Sequence, residues 1–94
     1  MLVVTKKPAV LEDFKKLNPQ VGSLEKIKRQ NIVAEIAKGV NKGTQKEILA
    51  ALPYFYNVSL KTYVDTAGLE KVKNDLEKDP NVKKVETFGN AYSS

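Results

Sequence analysis

The 94-residue chain contains no cysteine, no histidine and no tryptophan. Without cysteine there is neither disulfide nor thiolate chemistry, and without histidine the commonest zinc ligand is missing as well, so no metal site is expected. The same two absences exclude Ser/His/Asp and Cys/His triads, and no glycine-rich loop of Walker or Rossmann spacing occurs. The expected class is therefore a binding protein without a cofactor, and not an enzyme. No stretch approaches the ~18 apolar residues of a membrane span. The start, Met1 to Pro8, places its apolar residues ahead of its charges and lacks the long apolar centre of a signal peptide,. A cytoplasmic protein with no membrane contact is the expectation.

Arginine is nearly absent too. Arg29 stands alone beside fifteen lysines, and lysine is a hydrated point charge without the planar fork that grips guanine or phosphate through two bonds. Such a chain attracts phosphate diffusely, so any nucleic-acid affinity should be salt-sensitive and weakly specific. The formal net charge is +5, and its distribution matters more than its size. Residues 1 to 53 hold ten basic and five acidic side chains, whereas residues 54 to 94 hold six of each. The length allows one small domain, near the size at which a single core suffices.

Leu2, Val3 and Val4 suit a short strand, expected as an edge addition to a C-terminal ribbon. Pro8 suits a first helical turn, after which Val10, Leu11, Phe14 and Leu17 share a face until Asn18-Pro19 breaks it. From Leu24 to Lys38 the pattern reads as helical with a change of phase: Leu24 and Ile27 project oppositely to Ile32, Val33, Ile36 and Ala37. That helix is either buried on two sides or kinked near Gln30-Asn31, with Ser23 as its N-cap and Gly39 near its end. Thr44-Gln45-Lys46-Glu47 has the spacing of a capping box and predicts a helix start, with Ile48, Leu49 and Leu52 behind it and Pro53 as the stop. Tyr54 to Asp65 carries both strand and helix periodicity and is expected to be extended, followed by a helix from Asp65 or Thr66 with Leu69, Val72 and Leu76 inward. Asp79-Pro80-Asn81 ends that helix. Val82 to Phe88 then predicts a strand, Gly89-Asn90 a turn, and Ala91-Tyr92 a return.

From residue 23 onward this layout resembles the winged-helix superfamily, whose usual close "LEKDPNVKKVETFGNAY" is similar to. The resemblance implies an α+β, mainly α fold: a winged helix-turn-helix over residues 23–94, with residues 1–22 as an N-terminal strand and helix extension and a C-terminal β-ribbon. It implies duplex DNA as the partner and a transcriptional or mobile-element regulator as the role; the lysine-rich, arginine-poor usage would suit a viral protein from an AT-rich genome. With Leu69, Val72 and Leu76 inward, the outward face of the third helix is Ala67, Lys71, Asn74 and Lys78. Asn74 could pair with adenine, Lys71 with guanine acceptors and Lys78 with phosphate; the bland alternative is a solvated face balanced by Glu70, Asp75 and Glu77. Lys83 and Lys84 would lie on the wing, although lysine there also discourages edge pairing. Lys26, Lys28 and Arg29 form the densest basic patch, and Lys42 and Lys46 extend it to the next helix as a phosphate-facing side. Tyr54, Phe55 and Tyr56 could stack on bases or form a partner patch, but at least two of them are expected in the core.

A rival reading takes Tyr54 to Phe88 as strand, helix, strand, and "GLEKVKNDLEKDPNVKKVE" also resembles half of a ferredoxin-like sheet. That resemblance implies an interaction or assembly module, docking a protein partner or a second copy of itself, with no nucleic acid. The near-neutral charge of residues 54 to 94 fits this reading better than it fits DNA.

Overall fold

Apolar and β-branched residues at the very start form β1 (Leu2–Thr5), which lies inside a sheet and not at its edge,. A computed structural model of the chain, which describes residues 1–87, pairs β1 antiparallel with β3 (Tyr54–Leu60) on one side and β4 (Val82–Glu86) on the other. Val3 faces Tyr56 across one ladder and Val85 across the other. The first ladder runs on to Met1, whose nitrogen donates to Val58 O and whose carbonyl accepts from Val58 N, both at 2.8 Å. β2 (Val21–Ile27) pairs antiparallel with β3 and completes the order β2-β3-β1-β4.

The short α1 (Leu11–Lys15) links β1 to β2, and α4 (Thr66–Glu77) links β3 to β4. Strand, helix, strand, then strand, helix, strand, in this sheet order, is the split βαβ connectivity of a ferredoxin-like sheet. The departure from it is α2 (Arg29–Ile36) and α3 (Lys42–Ala51), inserted between β2 and β3 where a hairpin turn would otherwise suffice.

Alternation along each strand sends one set of side chains toward α1 and α4. Val3, Val21, Tyr56, Val58 and Val85 meet Phe14, Leu69, Val72 and Leu76 in one core,. Phe14 and Tyr56 pack edge-on at 6.3 Å between ring centres, and the Tyr56 hydroxyl accepts from the Ala9 N–H at 2.8 Å,. On the opposite face the register aligns Leu2, Val4, Ile27 and Phe55.

The mainly α, winged-helix expectation is thereby corrected: among the described residues, four strands and four helices make an α+β domain around an antiparallel sheet. Two local misreadings account for it. The opposed helical phases of Leu24–Ile27 and Ile32–Ala37 are a strand giving way to a helix at Lys28; Leu24 pairs with Val58 on the core side, and Ser23 lies within the strand. The expected wing strand exists, but it pairs with β1. Phe88, the Gly89-Asn90 turn and the Ala91-Tyr92 return lie outside the described residues. The third expected helix, capped by Asp65 whose Oδ1 accepts from Gly68 N at 2.8 Å, forms as read, with Leu69, Val72 and Leu76 buried. The Thr44 cap is displaced: α3 starts earlier, and Asn41 is its N-cap, accepting from Thr44 N at 2.8 Å,.

α4 is fastened to the loop before β2 by a polar contact. The buried Asn18 donates from Nδ2 to Asp75 Oδ2 at 2.9 Å, while its own Oδ1 accepts from Gln20 N. Lys71 and Lys78 reach the same carboxylate at 3.2 and 3.4 Å. The Asn18 hydrogen bond first, then Lys71 and Lys78, hold the Asp75 pKa below its ordinary 3.8,. A carboxylate whose pKa is depressed by folding stabilises the fold above its unfolded pKa and loses that contribution as pH falls through the folded one. Asp75→Asn should therefore lower stability near neutral pH and flatten its decline below about pH 4, so that the two proteins converge in acid,. Denaturant midpoints of both proteins from neutral pH to about pH 2 test this; parallel decline would contradict it.

Candidate docking surface

The inserted helices are built from short-range signals. Gly39, at φ 83°, takes the left-handed conformation that turns the chain after α2,. Gln45 spans the turn, donating from Nε2 to Val40 O at 2.8 Å and to Ala37 O at 3.4 Å. Val33 and Ala37 are buried where the two helices meet, whereas α3 buries no residue fully. The helices pack on each other and touch the rest of the domain only sparsely, consistent with overall dimensions of 45 × 29 × 17 Å. Ile36 and Val40, at the far end, are 64% and 38% exposed. Between the helices runs a groove of about 260 Å³ lined by Gln30, Val33, Lys42, Gln45, Lys46 and Leu49.

Arg29 fastens this pair to the sheet. Its guanidinium donates to Pro53 O at 3.1 Å, to Leu52 O at 2.7 Å and to Leu49 O, and it lies 4.2 Å from the centre of the Tyr54 ring. Carbonyls at a helix C-terminus have no intrahelical donors, and a cation is the favourable partner for them. The single planar fork in the chain is thus engaged in closing α3 and β3 onto the start of α2.

The residues singled out in the sequence fall in three places. Lys26, Lys28, Arg29 and Lys83 converge at the end of the sheet nearest the inserted helices, joined there by Lys6. Lys83 arrives because it is the extra residue of a bulge: Val4 pairs with Lys84 and Thr5 with Val82, leaving Lys83 between them,. Lys42 and Lys46 line the neighbouring groove. Ala67, Lys71, Asn74 and Lys78 are exposed along α4, but Lys71 and Lys78 are both paired with Asp75, and Lys84 is paired with Glu86 at 2.6 Å. Sequence reasoning missed Lys6 and the uncovered Ile36 and Val40. Only the strand register brings Lys6 to the cluster, and Ile36 reads as a core residue from its spacing.

Among the described residues no three His, Cys, Asp or Glu side chains are grouped to hold a metal ion, and no helix is long and apolar enough to cross a membrane. Comparison with protein-family models, with curated proteins and with solved structures finds no match to this chain.

Proposed function

We propose that this domain is a non-catalytic protein-interaction module that presents the α2–α3 pair to a protein partner. The observation that carries the reading is the inserted pair itself: a small domain spends eighteen helical residues on an element that adds little to the central core and leaves Ile36 and Val40 uncovered. Exposed apolar side chains beside a groove with polar rims are what a docking surface requires. An amphipathic helix laid along such a groove would cover them by the same periodicity that built α2 and α3.

Duplex DNA, the partner expected from the sequence, keeps the cations and an exposed α4, but Lys71 on that helix and Lys78 at its C-cap are paired with Asp75, and the expected wing strand is paired with β1. The two readings separate on the bench. Ile36→Asp with Val40→Asp changes exposed positions, so the fold should persist with less than about 0.5 kcal/mol of change. The double variant should lose, by tenfold or more, the protein that the wild-type chain captures from its native host, measured by quantitative pull-down at matched concentrations. Unaltered capture, together with salt-sensitive duplex DNA binding at low ionic strength, would contradict the docking reading and favour DNA.

A further inference from the structure

The end of the sheet beside the inserted helices is a strip of uncompensated positive charge. Two adjoining concavities, of about 540 and 270 Å³, share Arg29 and Tyr54. Lys26 and Lys28 line the first, Lys6 and Lys83 the second, and no acidic residue lines either. None of these four lysines makes an ion pair among the described residues, whereas Lys71, Lys73, Lys78 and Lys84 all do. Four of the ten basic side chains of the first half, Lys6, Lys26, Lys28 and Arg29, meet Lys83 here, where concave walls strengthen the field,.

We propose that this strip receives an extended acidic segment of the protein that docks on the helical pair. The inference rests on the docking reading and names the chemistry of that partner. Adjacent strands lie about 4.8 Å apart, so the strip from β4 across β1 and β3 to β2 spans about 14 Å, the length of four or five extended residues. Carboxylates at alternate positions of such a segment would face the strip, meeting Lys83 and Lys6 toward one end and Lys26 and Lys28 toward the other,. Gln30 lines both the strip and the groove between α2 and α3, so one partner can occupy the two surfaces continuously.

Nucleic acid fits the strip less well. The only guanidinium is engaged with three carbonyls, which removes the bidentate phosphate grip, and the same group covers the Tyr54 ring, which removes the stacking platform that single strands use,.

The test titrates the full chain with a pentaglutamate peptide and, separately, with a thymidine pentanucleotide, following backbone amide shifts by NMR. Pentaglutamate should give saturable shifts at Lys6, Lys26, Lys28 and Lys83. Lys26→Gln with Lys28→Gln should weaken it about tenfold, while Lys71→Gln with Lys78→Gln leaves it unchanged. Absence of saturation, or equal loss in both variants, overturns the proposal, and tighter binding of the pentanucleotide overturns it in favour of nucleic acid. Ile36→Asp should preserve pentaglutamate binding while abolishing partner capture, so the strip and the docking reading can fail independently.

Discussion

Replacing Val3 with aspartate is expected to unfold the domain or to destabilise it by roughly 4 kcal/mol or more, whereas Leu2→Ser should cost only about 1 kcal/mol. Val3 is fully buried, faces the helices, and has neighbours on both strands that flank it. A carboxylate there would have no donor and no water, and a domain of this size has only about 5–14 kcal/mol of stability to lose. Leu2 is half-buried and sits on the opposite face of the sheet. Circular dichroism with a urea titration distinguishes the two variants. If both were tolerated equally, β1 would be an appended edge and the sheet order would be wrong.

Arg29→Ala should cost about 2–4 kcal/mol, because three carbonyls at the junction of α3 and β3 lose a charged donor and the Tyr54 ring loses its cation,. The loss should be local in character. Amides of α3 should exchange much faster while those of β1 and β3 keep most of their protection, since the inserted helices share little of the central core,. Arg29→Lys retains charge without the fork, so it should recover less than half of the loss. Full recovery by lysine would mean that charge alone matters, and uniform acceleration of exchange across sheet and helices would mean that the inserted pair is part of one cooperative unit.

The parts of this fold that could be read from residues are those set by local physics. A helix start at Asp65 or Thr66, Leu69, Val72 and Leu76 as a stripe, and the extended Tyr54 segment all follow from spacing within a few residues. What could not be read is set by pairing at a distance. A tetrapeptide such as Leu2–Thr5 has the same composition at an edge as in the middle, and only its two partners decide between them. Leu24 and Ile27, three apart, share a face only in a helix, and it is pairing across the ladder with Val58 and Phe55 that makes the segment a strand and sends them to opposite faces,. The candidate surface divides the same way. Lys26, Lys28 and Arg29 are neighbours in the chain, but Lys6 and Lys83 join them through the β1–β4 pairing and its bulge. The role of Arg29 as a tether was hidden because its acceptors are backbone carbonyls, which leave no trace in a side-chain pattern.

The central claim is that the helical pair, and not the outward face of α4, meets the partner. A photo-crosslinking side chain placed at position 36, and in a second protein at position 74, measures this directly in the native host. The account predicts a specific protein crosslinked from position 36, competed by the unlabelled chain, with none from position 74. Specific crosslinking from position 74, or equal crosslinking from both, would contradict it.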